Sequence, residues 1–189
     1  MRLLVLTLTL FALVSCGDNP TARPVGYMRI ELPVSDSAIS LAPKHCGFNA
    51  DYNSKAVWRY KDTTNCFIDL LYPSIMSTVQ LTYKPVEDNL EALVIDAQKL
   101  AYEHTVKASG MRERFFSYPE KKVYGMYYEM SGASATTTQF YATDSAHHFL
   151  RGVLYHYSAP NPDSLAPVTN FMREEIQTLI STVHWNEQH

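Results

Sequence analysis

Apolar and polar residues alternate along much of this chain, with the two-residue period of strands that bury one face. The clearest example is Val79, Leu81 and Tyr83, which are separated by Gln80 and Thr82. The same reasoning, with flanking turn residues, predicts strands at 27–32, 48–52, 57–60, 66–72, 111–118, 123–130, 137–143 and 147–157. The segment 35–43 is predicted to be a loop. The last four of these strands are joined by short connections, which favour an antiparallel meander.

One segment between the strands has helical spacing instead. After Asn89, a residue type favoured at helix N-caps, apolar residues recur every three or four positions. Ser109 and Gly110 are predicted to end this helix, because glycine is common just beyond a helix C-terminus. His104 lies on its apolar side and is interpreted as a hydrogen-bonded core histidine.

A second helix is predicted near the C-terminus. Asp163 or Ser164 would cap it, and its apolar face would run through Val183, with Pro167 in the first turn. Strands interrupted by long helices indicate the α+β class, an antiparallel sheet with helices packed on it. The segment 147–157 has apolar residues on both strand faces, so we expect cover on both sides of the sheet. The prediction is therefore a three-layer sandwich.

Composition limits the class of protein. The chain has 189 residues, of which 46% are apolar and 19% charged, so intrinsic disorder is excluded. A formal net charge of −3 does not favour nucleic acid as a partner. The length fits one globular α+β domain at 27–189.

The first residues predict an export signal. Arg2 is followed by an apolar stretch that is too short to cross a bilayer, and 1–15 therefore form a signal peptide. The sequence Leu-Val-Ser before Cys16 resembles the bacterial lipobox, in which cleavage leaves a cysteine that carries fatty-acyl chains such as palmitate. The alternative is an ordinary signal peptide with a coincidental cysteine. Residues 16–26 would be the lipidated cysteine and a linker that tethers the domain to a membrane.

Two cysteines remain once Cys16 is assigned to lipid. An even number of cysteines in an exported protein favours a Cys46–Cys66 disulfide. Two buried free thiols are the alternative. Metal binding is less favoured, because His45 is the only ligand-type residue beside Cys46, and Cys66 has none at a useful spacing.

One segment contains residue types of catalytic interest. Asp144, Ser145 and His148 are the residue types of a serine-hydrolase triad, but triad members normally come from distant positions. We interpret Asp144 and Ser145 as an Asx-type hairpin turn, with catalysis as the alternative. Neither phosphate-binding loops nor hydrolase or metalloprotease motifs occur in the sequence. We therefore expect a protein that is not an enzyme and has no metal or cofactor beyond covalent lipid.

Arg151 follows in the same predicted strand, between apolar neighbours. Its burial would require a carboxylate partner, for which Asp69 and Asp144 are candidates. A structural ion pair is the favoured interpretation, and a cationic anchor for an acidic partner is the alternative. Together with Asp144, Ser145, His148 and Gly152, Arg151 forms our candidate structural or interaction motif.

Several phrases of the sequence resemble one protein family. They are GYMRIELP at 26–33, LAYEHTVKA at 100–108, VYG at 123–125, QFYATDS at 139–145, HFLRG at 148–152 and DSLAPV at 163–168. Together with Cys46, Cys66, Trp185 and the lipobox, they resemble the gliding-motility lipoprotein GldD family of the Bacteroidota. The resemblance covers nearly the whole chain. It implies a domain similar to the PsbP-like α/β/α sandwich and no catalytic residues.

The resemblance also implies a role in the cell. We expect an assembly or stabilising factor for gliding motility, with partners among the envelope proteins of the gliding and type IX secretion machinery. The alternative is a periplasmic protein that binds or processes glycan or peptidoglycan. The residues after Cys16 lack an acidic cluster associated with surface export, so we expect a periplasm-facing position on the inner or outer membrane. A surface patch rich in exposed tyrosine would bind the partner.

Overall fold

The computed structural model describes residues 30–103, 108–132, 134, 136–158 and 162–186. The predicted signal peptide, Cys16, the predicted linker and His104 lie outside these ranges, as does the first part of the strand predicted at 27–32. Residues 30–32 are described and belong to no strand, so that prediction is wrong for them. Their apolar side chains instead pack as irregular chain against the core, just before Pro33, which cannot donate to a strand ladder.

The strands are, in chain order, β1 (Ala38–Leu41), β2 (Phe48–Asn53), β3 (Val57–Asp62), β4 (Phe67–Tyr72), β5 (Ser77–Pro85), β6 (Ala108–Tyr118), β7 (Val123–Gly132), β8 (Thr136–Thr143), β9 (His148–His156) and β10 (His184–Trp185). The helices are α1 (Leu90–Glu103) and α2 (Pro162–Thr182), with short 3₁₀ turns at Pro73–Ile75 and Pro119–Lys121. The predicted strands from 48 to 157 are confirmed, apart from small differences at their ends.

Among the described residues, the main sheet has the strand order β3-β4-β5-β9-β8-β7-β6, and each pair is antiparallel. The predicted meander of four consecutive strands is confirmed as β6 to β9. Pairing of β5 with β9 joins this meander to β3–β5, with Ser77 opposite His156 and Pro85 opposite His148. A smaller sheet has the order β1-β2-β10.

The main sheet is covered on both faces. Ala97 and Ala101 of α1 belong to one buried cluster with Phe149 of β9. On the opposite face of the same strand, Leu150 and Leu154 belong to a larger core that includes apolar residues of α2 and the small sheet. Both faces of the sheet are thus covered, as the apolar residues on the two faces of β9 predicted. The α+β class with an α/β/α sandwich is confirmed.

Three local predictions differ from the structure. The predicted loop at 35–43 contains β1, because its backbone pairs with β2 from Ala38 to Leu41. Ser109 and Gly110 do not end α1 but lie in β6, where pairing with β7 extends the strand. The last helix begins at Pro162, so its predicted caps lie inside its first turn and Pro167 lies in the second.

Candidate functional site

The candidate motif begins with the turn between β8 and β9. The Asp144 carboxylate Oδ1 accepts hydrogen bonds from the backbone N–H groups of Ala146, His147 and His148, at 3.0, 2.8 and 2.8 Å. Ser145 has a positive φ of 70°, a conformation that such a turn requires. The predicted Asx-type turn is therefore confirmed, and this carboxylate oxygen is used to hold the hairpin.

The charge of Asp144 is stabilised by the same turn. Burial would raise the pKa of this carboxyl, but the three backbone donors and the nearby His148 together hold it below its ordinary value. The side chain of His147 lies 3.7 Å from Oδ2 of the carboxylate, and 68% of that side chain is exposed. Asp144 therefore stays ionised and gives the turn a fixed negative charge.

His148 packs inward from this turn. Its Nδ1 lies 2.8 Å from the Tyr83 hydroxyl, and its ring stacks on Trp185 with a centroid distance of 5.2 Å and an interplanar angle of 4°. Burial lowers the pKa of His148, an effect that the nearby Asp144 opposes. No hydrogen bond joins Ser145 to His148 among the described residues. The arrangement is a structural contact and does not have the geometry of a serine-hydrolase triad.

The C-terminal strand completes this region. Trp185 donates its indole N–H to the Lys122 carbonyl at 2.9 Å. Asn186 donates its backbone N–H to the Gly47 carbonyl at 3.0 Å and its side-chain amide to the Cys46 carbonyl at 3.2 Å. These bonds tie the end of the described chain to β2 and to the β6–β7 connection.

A groove runs along this C-terminal end of the fold. It has a volume of about 610 Å³ and contains groups of both charges. We call it the C-terminal groove; its lining residues are Glu120, Lys121, Lys122, Asp144, His147, His148, His184, Trp185 and Asn186. Its base is fixed by the His148–Trp185 stack, and its rim carries exposed polar side chains. A surface of this kind suits the binding of a polar partner.

The disulfide lies beside the groove. Cys46 and Cys66 are bonded, with their Cα atoms 5.8 Å apart, and both residues are buried. Gly47 follows directly, and a Cβ at this position would lie 2.0 Å from the Tyr83 hydroxyl. The glycine therefore allows the backbone after the disulfide to approach the Tyr83–His148 pair.

Arg151 pairs with neither of the two carboxylates predicted as its partner, Asp69 and Asp144. Its Nη2 donates to the side-chain oxygen of Gln139 at 2.8 Å, whereas Asp69 pairs with Arg59 at 3.4 Å. Asp144 is occupied by its own turn. Burial lowers the pKa of Arg151, an effect that nearby Tyr155 and Asp96 oppose. A neutral amide therefore replaces the predicted structural ion pair, because Gln139 lies on the same face of the adjacent strand.

Gly152 has a packing role. A Cβ on this residue would lie 2.1 Å from the Phe140 ring, which is directly opposite on β8. The structure therefore separates the candidate motif into two parts. Asp144 and His148 line the C-terminal groove, with Ser145 in the turn between them, whereas Arg151 and Gly152 lie further along β9 in the sheet.

Two other expectations can be compared with the described residues. Tyr102 and Tyr157 are the exposed tyrosines among them, so a tyrosine-rich patch is not found there. Six of the described tyrosines are instead buried in the two sheets: Tyr52, Tyr72, Tyr83, Tyr127, Tyr128 and Tyr141. In the same part of the chain, no group of three or more potential ligand side chains could hold a metal ion.

The sequence did not indicate Tyr83, Trp185 or Asn186 as members of this region. Tyr83 follows the strand alternation like any core residue, and Trp185 lies in a strand of only two residues. Only the pairing of β10 with β2 brings them together, and no spacing in the sequence signals that pairing.

Comparison with known proteins identifies the family. The model of the family described as "Gliding motility lipoprotein GldD" matches residues 17–185. This chain belongs to the GldD family. Membership makes it a gliding-motility-associated lipoprotein, and it implies association with the cell envelope. The GldD family is not a known enzyme family.

Two further comparisons add context to the GldD assignment. The fold is similar to the solution structure of cyanobacterial PsbP (CyanoP) from Synechocystis sp. PCC 6803, with 10% identity and a TM-score of 0.48. That likeness covers 86% of this chain and 99% of the other. No curated protein matches the sequence. Of the helices in the described ranges, neither has the length and apolar character needed to cross a membrane.

Proposed function

We propose that this GldD family member is a non-catalytic assembly or stabilising factor for the gliding and type IX secretion machinery. Family membership over residues 17–185 is the observation that carries the proposal. The matched region starts directly after Cys16, which would carry the lipid. The domain would face the periplasm from the inner or outer membrane and would contact other envelope proteins of the machinery.

The chemistry of the candidate motif supports binding rather than catalysis. The Asp144 oxygen that could orient a base accepts three backbone donors, and His148 is occupied by Tyr83 and Trp185. Activating either group would require breaking contacts that hold the hairpin and the C-terminal strand. The C-terminal groove, by contrast, offers exposed charged groups on a rigid base, and we assign the partner interface to it.

The test is site-specific photo-cross-linking in cells that glide. A photoreactive residue replaces His147 in the C-terminal groove, and the lipidated protein is purified for mass spectrometry of the cross-linked species. Ile95, which is 55% exposed on α1 and lies outside the groove, provides the matched control position. We expect envelope proteins of the gliding or secretion machinery from position 147 and not from position 95.

Two outcomes would contradict the proposal. Recovery of cell-wall glycan alone at position 147 would favour the alternative of a glycan-binding protein. Equal recovery of the same proteins from both positions would remove the C-terminal groove as the interface. A separate His147→Glu variant, which carries no photoreactive residue and adds charge to the rim without burying it, should reduce gliding while protein abundance stays constant.

A further inference from the structure

A separate cavity lies between the first half of α2 and one end of the main sheet. Its volume is about 450 Å³, within the range of small-molecule sites. We call it the α2 cavity; the lining residues that the proposal uses are Thr137, His156, Leu165, Ala166, Thr169 and Arg173. None of these residues belongs to the C-terminal groove.

An irregularity of β8 shapes the cavity wall. The pairing of β8 with β9 shifts between Thr136 and Thr138, which leaves Thr137 as an extra residue. Such a bulge re-aims side chains, and the Thr137 hydroxyl lies 3.4 Å from His156 Nε2, toward α2. The Thr138 hydroxyl also faces α2, where it accepts a hydrogen bond from Arg173. Two successive hydroxyls therefore point toward the helix.

Arg173 provides the charge of the cavity. Its Nε donates to the Thr138 hydroxyl at 3.3 Å, and its Nη2 donates to the carbonyls of Met130 and Thr137 at 3.2 and 3.4 Å. These acceptors are neutral, and within the described ranges no carboxylate forms an ion pair with Arg173. The guanidinium is thus held in place by neutral acceptors, and none of the described lining residues is acidic.

His156 provides a hydrogen-bond acceptor. Its Nδ1 lies 2.8 Å from the Ser77 hydroxyl, which donates its proton to the Ile75 carbonyl at 3.0 Å. Nδ1 must therefore carry the ring proton, and Nε2 is the acceptor. Nε2 lies 3.1 Å from the Thr169 hydroxyl at the cavity wall. Burial and the charge of Arg173 lower the pKa of His156, so the ring is neutral beside the guanidinium.

We propose that the α2 cavity binds a small monocarboxylate with an apolar body. One guanidinium without an ion-pair partner matches one negative charge, and its Nη1 keeps two N–H donors that no hydrogen bond among the described residues uses, which suits a carboxylate oxygen. A phosphate would instead require several donors around a doubly charged group. Leu165 and Ala166 provide the apolar wall for the rest of the ligand. This inference does not depend on the proposed protein partner.

The test is calorimetric titration of the full lipidated chain in lipid nanodiscs, with heats from empty nanodiscs subtracted. The probes are hexanoate, hexanamide, hexyl phosphate and acetate, which separate the contributions of charge, geometry and apolar body. We expect saturable binding of hexanoate that is at least about tenfold tighter than binding of hexanamide, because the amide lacks the charge. Hexyl phosphate and acetate should both bind more weakly than hexanoate.

Three variants locate the site. Arg173→Gln removes the charge and should weaken hexanoate binding at least about tenfold. Ala166→Leu places a larger side chain at the mouth of the cavity, from an exposed helix position, and should abolish binding. This variant tests the site independently if Arg173→Gln does not fold. Arg112→Gln is the matched control, because Arg112 is exposed on β6 and lies outside the cavity. This variant should bind hexanoate with unchanged affinity.

The proposal would be overturned by any of four results. They are the absence of saturable hexanoate binding, equal affinity for hexanoate and hexanamide, tighter binding of hexyl phosphate, and unchanged hexanoate affinity in Ala166→Leu. Equal losses in Arg173→Gln and Arg112→Gln would also overturn it, since they would indicate a general effect of net charge and not a site.

Discussion

The disulfide beside the C-terminal groove allows a quantitative test of how the domain is stabilised. Cys46 and Cys66 are 20 positions apart in the sequence, and reduction would open the covalent loop between them without removing an atom from the core. Both side chains are buried, so each sulfur keeps its packing contacts in a reduced protein that still folds. Reduction therefore isolates the effect of the cross-link on the unfolded chain.

The magnitude follows from the length of the closed loop. For a loop of this length, the chain-entropy relation gives an entropy loss of about 11 cal/mol/K in the unfolded state. At 25 °C this corresponds to about 3 kcal/mol of folding stability. Since a domain of this size is stabilised by roughly 5–15 kcal/mol, reduction should remove a large share without unfolding the protein in the absence of denaturant.

The assay is urea unfolding followed by fluorescence and circular dichroism. One sample is kept oxidised, and a second is reduced in urea and refolded in the presence of the reductant, because the buried disulfide must be exposed to react. A Cys46→Ala/Cys66→Ala variant is the third sample. We expect a loss of about 3 kcal/mol on reduction and a larger loss in the variant, which also lacks the packing of both sulfurs.

Two results would refute this reasoning. If the reduced and oxidised proteins differ by less than about 0.5 kcal/mol, the cross-link does not act through the unfolded chain. If the alanine variant loses no more stability than the reduced protein, the buried sulfurs do not contribute through packing. The denaturant slope should be steeper without the cross-link, because the unfolded chain then exposes more surface, so the free energies of unfolding are compared after extrapolation to zero urea.

Three further outcomes are expected. Gly152→Ala should cost about 1–3 kcal/mol in urea unfolding, because the added methyl overlaps the Phe140 ring; a neutral effect would show that the ring moves freely. Trp185→Phe keeps an aromatic ring for stacking on His148 but lacks the indole donor, and it should lower the free energy of unfolding by about 1 kcal/mol. A larger loss would show that packing of the indole ring, and not its hydrogen bond, provides most of the stability. The folded protein holds the pKa of His148 and of His156 below the ordinary value near 6.5, so the unfolded chain binds more protons as the pH falls through that value. Stability should therefore decrease below about pH 6.5, by at most about 1.4 kcal/mol per pH unit for each histidine, and a His156→Gln variant should show a shallower slope; an equal slope would contradict the assignment.

Much of the fold could be predicted because local periodicity and core burial agree. In β5, the residues Val79, Leu81 and Tyr83 alternate in the sequence and are buried in the structure. The apolar residues on both faces of β9 indicated three layers for the same reason. These elements are long enough for their pattern to exceed chance, and each buries the face that the pattern indicates.

The elements that were missed depend on pairing with a neighbouring strand. Ala38–Leu41 is a strand because β2 lies beside it, although one of its apolar residues, Ile39, is 45% exposed. Ser109 and Gly110 resemble a helix end in the sequence, yet β7 recruits them into β6. Tertiary contacts overrode local preference in both cases.

In the candidate site, too, the local feature was predicted correctly and the non-local feature was not. The Asx turn at Asp144 is local, because its donors lie within four residues of the carboxylate, and the sequence predicted it. The partner of Arg151 is not local and was predicted incorrectly. Gln139 reaches the guanidinium across the β8–β9 pairing, and a neutral amide leaves no charge pattern that a sequence could reveal.

The last strand determines when folding can be completed. The hydrogen bond between Asn49 and Asn186 spans 137 positions, and β10 pairs with β2 at the same place. Contacts across so long a loop form slowly, because the chain loses the entropy of closure before the contacts compensate for it. Completion of the small sheet therefore depends on this long-range closure, and a variant truncated before His184 would leave β2 with an open edge.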